Sequence, residues 1–451
     1  MLLGMTSTDA SRHFESLRRP RQSAITRTDR SIQGSLILHG TSILVPDFAD
    51  QDARFSSAFS ILRQAIEQHA FPAASVTVTQ QGKLLALQSF GNFVYRKDVE
   101  GAPPKLSLGA DFDLAVTPST IFDLASLTKP VATTTMAMIL YERGLLELDA
   151  PITGTIPEFR SDSSGAGDSR RSEVTFRMLL AHSSGLPAYE KLFLRAHSRD
   201  ELLHAAFTTP LTADPGTRAE YSDIGFIILG EALERIAGES LDIFSRREIF
   251  GPLGMVNTAF NPPSAVRSKI PPTANERKEE ECRAGAPARE MQAPATRSGV
   301  SAEASPSTFR NRIIQGEVQD ENASVLGGVA GHAGLFSTAE ELAIFAQIFL
   351  AGGSPILRPE TIALFTRRES APAGTSRALG WDTPSPPSQS GKHFGPRSYG
   401  HLGYTGTSIW IDPDRRLSIT LLTNRTWPDC SNQAIKQVRP MFHDAIVEAI
   451  L

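Results

Sequence analysis

Cysteine is almost missing: the 451 residues hold two, Cys282 and Cys430. No disulfide framework can therefore carry the fold, and no Cys/His group has zinc spacing. Cys282 falls in a stretch too polar to pack, so no structural disulfide is expected. Long apolar runs are lacking as well, and no stretch approaches the ~18 residues of a membrane span. Met1, Leu2 and Leu3 give way to polar residues without the apolar core of a secretory signal. The apolar patch from Ser35 to Val45 is broken by His39, Gly40 and Thr41. A cytoplasmic protein is expected on these grounds. Basic blocks are missing too: 45 Lys and Arg stand against 49 Asp and Glu, for a net charge of -4. Nucleic acid is not expected as a partner, and neither a metal nor an organic cofactor is implied.

What is present is ordinary soluble composition, 40% apolar and 21% charged, enough for a large core. Length alone allows two or three domains, and a large α/β enzyme with an interleaved helical lobe fits equally. Residues 1–50, rich in Ser, Thr, Arg and Asp without a period, read as a loose N-terminal extension to a domain over 51–451. Phe55, Phe59, Leu62 and Ile66 predict a helix by their spacing. Ala74–Thr79 and Lys83–Leu87, parted by Gln80-Gln81-Gly82, predict a hairpin. A helix is expected from Ser126 to Gly144, with Pro130 tolerated only in its first turn. Helical patterns follow at Phe176–Ala181, Arg199–Phe207, Ile224–Ala237 and, capped by Ser337 or Thr338, at Thr338–Leu350. Residues 276–306, dense in Pro, Ala, Ser, Arg and Glu, read as a flexible insertion. Ala371–Pro396 reads as a surface loop, and Gly403–Asp412 and Leu417–Thr423 as strands. Asn432–Ile450 closes the chain as a helix. Strands towards both ends with helices between predict one mostly antiparallel sheet, flanked by helices, with an inserted helical lobe: an α/β (α+β) architecture.

Ser126-Leu127-Thr128-Lys129 puts a hydroxyl and an amine nearly one helical turn apart, on one face. A serine hydroxyl needs something to take its proton. A lysine can do so once burial or a nearby cation depresses its pKa. The helix N-terminus adds free N–H groups suited to an oxyanion. This S-x-x-K pattern is common by chance. It is followed, however, by Tyr221-Ser222-Asp223 ahead of a helix, where a tyrosine could pass a proton. It is followed again by His401-Leu402-Gly403 entering a predicted strand, whose Tyr404 amide could serve an oxyanion. Taken singly, these are also what a core tyrosine and a loop histidine would look like.

Together, in this order, the three motifs resemble the penicillin-binding protein and serine β-lactamase superfamily, class C-like branch, from about Phe59 to the C-terminus. Supporting stretches are Phe122–Lys129, Leu179–Pro187 and Pro215-Gly216 before Tyr221. The resemblance implies a β-lactamase/transpeptidase-like fold and a serine hydrolase acting through an acyl-enzyme. Ser126 would be the nucleophile, Lys129 the base and Tyr221 the proton relay. The amides of Ser126 and Tyr404 would form the oxyanion hole beside Gly403, and His182 would be structural. Gly316–Ala323 and Gly327–Ser337 resemble a subgroup of serine-type N-acetylmuramyl-L-alanine amidases and esterases linked to peptidoglycan recycling. That likeness implies a cleft bordered by Asp320-Glu321-Asn322, with Asn322 touching a small amide or ester substrate such as a muropeptide.

Two motifs depart from the family pattern. Asp223 stands where Asn is usual, and a carboxylate cannot donate an amide N–H; it can instead hold Lys129 charged. His401-Leu402 stands where Lys-Thr is usual, removing a fixed charge and a hydroxyl. Esterase, β-lactamase and D-alanyl-D-alanine carboxypeptidase activities on the same fold remain alternatives. So do a non-catalytic ligand-sensing module and a scaffold that uses the insertion as an arm.

Overall fold

Four stretches of alternating or continuous apolar character, two towards the N-terminus and two towards the C-terminus, meet in a single sheet. The computed structural model describes residues 37–38, 41–42, 44–95, 115–160, 167–276, 309–428 and 430–451. In chain order the strands used below are β1 (Val45–Pro46), β2 (Ala73–Gln80), β3 (Lys83–Gly91), β4 (Phe122–Asp123), β5 (Ala259–Phe260), β6 (Leu335–Ser337), β7 (Tyr399–Leu402), β8 (Ser408–Asp412) and β9 (Leu417–Thr423). The helices are α1 (Ser56–Glu67), α2 (Thr135–Glu142), α3 (Phe176–Leu180), α4 (Arg199–Phe207), α5 (Asp223–Ala237), α6 (Glu321–Val325), α7 (Ala339–Leu350) and α8 (Ile435–Glu448).

The main sheet runs β7-β8-β9-β2-β3-β1. Every pairing in it is antiparallel except β1 with β3. The two chain ends thus complete one sheet, as expected. Val76 and Val78 of β2 point to one face and join Phe59, Leu62, Ile419, Phe442 and Ile446, so α1 and α8 cover that side. Ser75, Thr77 and Thr79 point the other way. They are buried, and their hydroxyls are satisfied by Ser89, by the Ala339 carbonyl at the start of α7, and by Ser418. The larger core, including Leu127, Val131, Met136, Ile227 and Phe345, joins that face to the helical lobe.

Several local expectations hold. The hairpin β2–β3 and helices α3, α4 and α5 lie where the periodicity put them. Thr338 caps α7 by accepting from the Glu341 amide at 3.2 Å. The Glu341 carboxylate does not fold back on the cap; it accepts from Asn257 and Thr258 instead.

Other expectations are corrected. Gly403–Asp412 is not one strand. Gly403 N donates to Thr407 O at 2.8 Å and Gly406 N to Gly403 O at 3.0 Å, so residues 403–407 form a turn between β7 and β8. Tyr404 therefore sits in a turn rather than on a strand edge. Val45–Pro46 pairs with β3 and Leu44 is buried, so the sheet takes in residues from the stretch read as an extension. The Ala371–Pro396 segment is irregular, yet its Trp381 is fully buried. Cys430 is disulfide-bonded, against expectation; the other cysteine, Cys282, lies outside the described residues. The insertion expected at 276–306 also lies outside them, except Glu276. That residue is buried and paired with Arg310 at 2.6 Å, so packed structure reaches the insertion's first residue. Among the described residues no helix is long and apolar enough to cross a membrane.

Candidate active site

The start of the serine's helix is built by its neighbours. Asp123, buried on β4, accepts from Ala125 N at 2.8 Å with one oxygen and from Gln319 N at 2.7 Å with the other. Ala125 is thereby held at φ 47°, a left-handed conformation that costs a non-glycine residue roughly 1–3 kcal/mol. That bend lifts Ser126 onto the first turn, a 3₁₀ turn over Ala125–Leu127. A π-helical stretch, Lys129–Thr134, then leads into α2, with Pro130 in the first turn as its missing N–H requires. Thr128 Oγ1 donates to Ala125 O at 2.7 Å and accepts from Leu335 N at 3.1 Å, tying the bend to β6.

Lys129 is completely buried, and its Nζ lies at the centre of the site. It is 3.1 Å from Ser126 Oγ, 2.6 Å from Tyr221 OH, 2.6 Å from Asp223 Oδ1 and 3.1 Å from the His332 carbonyl. Tyr221 OH lies 2.7 Å from Ser126 Oγ, which closes the triangle. Asp223 and the His332 carbonyl can only accept, so they take two of the lysine's protons. An ammonium has one proton left for Ser126 or Tyr221. A neutral amine has a lone pair facing them. Burial depresses the Lys129 pKa most strongly, against the pull of Asp223 and Asp320. Burial, then the Asp223 charge, raises Tyr221 far above the usual phenol range, so it stays a proton carrier.

Tyr221 and Asp223 are positioned by the N-cap of α5. Ser222 Oγ accepts from Gly225 N at 3.0 Å and donates to Pro187 O at 2.6 Å. Ser222 N donates to His182 Nδ1 at 3.0 Å, and the His182 ring stacks on Tyr221 and Phe226. His182 is thus a support, as its family likeness implied. The glycine-rich run earns its glycines here. A methyl on Gly331 would fall 2.2 Å from Phe226 O, so only glycine lets this loop lie against α5 and aim His332 O at Lys129.

The motif on β7 meets the same centre. Thr405 Oγ1 donates to Asp123 O at 2.8 Å and Thr407 Oγ1 to Leu124 O at 2.9 Å, so the 403–407 turn docks just before Ser126. A methyl on Gly403 would sit 2.5 Å from Leu124 O, which explains the glycine. The Tyr404 carbonyl accepts from Arg425 Nε at 2.7 Å, fixing its peptide. His401 is buried 6.1 Å from the Tyr221 ring, with Nδ1 on the Leu402 carbonyl and Nε2 without a protein partner among the described residues. Burial, then Lys129 and Arg377, holds its imidazole well below the usual histidine range, hence neutral.

Asn322 is a correction. It is fully buried, its Oδ1 accepts from Phe193 N at 3.0 Å and its Nδ2 donates to Glu190 O at 2.9 Å. It latches the 190–193 loop, with its oxygen and its amide nitrogen both engaged there and its side chain fully buried. Of its neighbours, Asp320 is the one that acts on Lys129. Asp320 pairs with His332 Nε2 at 2.8 Å and is held below the usual carboxylate range. Burial tends to raise Asp320, and the charge and hydrogen bond of His332 outweigh it. Burial and the Asp320 charge push Glu321 up to about 7. Asp123, His332 and Arg377 were not singled out by sequence; Asp320 was named only as part of the Asp-Glu-Asn run bordering the cleft. Among the described residues no group of His, Cys, Asp and Glu could hold a metal ion.

A hydroxyl at a strained helix start, an amine in contact with it and a phenol touching both define a serine hydrolase of the acyl-transfer class. The Beta-lactamase family model matches residues 59–438, and the chain belongs to that family. It is 32% identical over 377 residues to the N-acetylmuramyl-L-alanine amidase of Bacillus subtilis, covering 79% of this chain and 77% of that one. It is 31% identical over 382 residues, 81% of each, to a Salmonella agona protein provisionally named D-alanyl-D-alanine carboxypeptidase. The fold is shared with EstCE1, a hydrolase with promiscuous acyltransferase activity, at TM-score 0.65 and 18% identity over 88% of this chain and all of that one.

Proposed function

We propose that the protein is a muropeptide amidase that transfers the muramyl-side acyl group of its substrate to Ser126. Ser126 Oγ attacks the carbonyl carbon and its proton passes to Lys129 Nζ, directly or through Tyr221. The oxyanion accepts from the amides of Ser126 and Tyr404. The C–N bond breaks as the amine leaves with the proton returned through Tyr221. Water then attacks the acyl-serine by the same route in reverse, releasing the acid. The observation that carries this reading is the Ser126–Lys129–Tyr221 triangle, built on an amine whose pKa burial depresses. The amidase relative supplies the substrate class.

Lactam and D-alanyl-D-alanine substrates rank behind, because His401 is neutral where the family usually offers a fixed charge for a carboxylate. The test is release of free peptide from an N-acetylmuramyl-peptide, followed by mass spectrometry. Turnover of an activated ester with no peptide released would replace the amidase reading by an esterase one.

A further inference from the structure

The Ala371–Pro396 segment brings a charge to the site that none of the three motifs supplies. Asp382 bridges to Gly400 on the free edge of β7: Asp382 N donates to Gly400 O at 2.8 Å and Gly400 N to Asp382 O at 2.9 Å. The turn before it is closed by Ala378 N on Trp381 O at 2.9 Å, and Gly380 N donates to Leu180 O at 2.9 Å. Gly380 lies so near Thr134 that a methyl there would fall 1.9 Å from Thr134 Oγ1. An irregular loop is thus pinned to the sheet edge, to the end of α3 and to the helix of the nucleophile. On it, Arg377 is ion-paired with Asp382, and its guanidinium carbon lies 5.5 Å from the centre of the Tyr221 ring.

We propose that Arg377 is a positioning residue for proton transfer: a permanent cation, fixed over Tyr221 by the Asp382 bridge, that counters Asp223 and Asp320 and keeps Lys129 able to accept the Ser126 proton. The proposal rests on the serine-hydrolase reading above. The groups facing Lys129 and Tyr221 are Asp223 from α5, Asp320 and its partner His332, Ser126, His182 after α3, His401 on β7, and Arg377. Tyr189 also faces Asp223 and Asp320. Burial keeps His182 and His401 neutral. Asp223 and Asp320 thus favour the ammonium, and Arg377 opposes them. Arg377 acts in the same direction as burial on Lys129, and against burial on Tyr221. A nearby positive charge destabilises a second one, so losing it makes Lys129 harder to deprotonate.

The experiment measures the rate of covalent labelling by a fluorophosphonate as a function of pH in wild type, Arg377→Met, Arg377→Lys and Ser126→Ala. The expected result is an acid limb moved about one pH unit upward in Arg377→Met, hence an about tenfold slower rate at neutral pH. The rate should return to the wild-type plateau in alkali, and Arg377→Lys should restore the limb. Arg377→Gln, which keeps an N–H for Asp382, replaces the methionine variant if that one does not fold. A uniform fall at every pH, or an unmoved limb, overturns the role of Arg377 while leaving the nucleophile intact. Ser126→Ala labelled as fast as wild type removes the serine-hydrolase reading itself.

Discussion

Asp223→Asn restores the residue the family usually carries and removes one charge from a buried pair. Lys129 is wholly buried and Asp223 is 15% exposed, with 2.6 Å between Nζ and Oδ1. At an effective dielectric constant near 20 that contact amounts to about 6 kcal/mol of attraction before desolvation is counted, an upper bound. Breaking a buried pair from one side generally costs about 3–5 kcal/mol, and Lys129 can limit the loss by shedding its proton. The sign follows from burial, which puts the Lys129 pKa in the fold below that of the unfolded chain. The unfolded state then binds more protons, so stability rises with pH, and removing Asp223 steepens that rise. The variant's deficit in urea unfolding should be largest in acid and narrow as the medium becomes alkaline. Activity should change in step: with its counter-charge gone, Lys129 deprotonates more readily and the acid limb of kcat/KM moves to lower pH. A limb displaced upward, or a deficit independent of pH, would refute the assignment of Lys129 as the base that Asp223 restrains.

Three further outcomes follow from the packing. Asn322→Ala strands Phe193 N and Glu190 O, at about 1–3 kcal/mol for each group left unpaired; chemical unfolding should show the loss, while the pH profile of activity keeps its shape. Gly403→Ala forces the 403–407 turn off Thr407 and Leu124, and a misplacement of about 1 Å can cost about 10²-fold in rate. The activity of that variant should collapse while its melting temperature falls little. Glu276→Gln breaks an ion pair whose side chains are 4% and 5% exposed, and thermal unfolding should show about 3–5 kcal/mol of destabilisation. Arg310 also donates to Val318 O and Gln319 O, so the loop beside Asp320 should loosen in hydrogen exchange.

The parts of the site readable from sequence were those fixed by local rules. Ser126 and Lys129 are nearly one helical turn apart, Pro130 sets the helix start, and Ser222 caps α5 next to Tyr221. Such relations span a few residues and leave a signature in the spacing. Asp123, His332 and Arg377 act through long-range contacts: Asp123 joins Gln319, His332 offers only its carbonyl to Lys129, and Arg377 reaches Tyr221 because Asp382 zips onto Gly400. No local pattern marks any of them. The likeness to the amidase subgroup places Asn322 at the cleft, yet helix α6 turns it inward while Asp320 acts on Lys129. The 403–412 stretch looked like one strand because its residues suit strands. Gly403 and Gly406 instead permit a tight turn there.

The most direct measurement is peptide mapping of the covalent adduct trapped when the protein is mixed with an activated ester and quenched in acid. One acyl group on the peptide that contains Ser126, absent from Ser126→Ala, is the outcome the proposed chemistry requires. An adduct on a different residue, or steady turnover by Ser126→Ala, would contradict it.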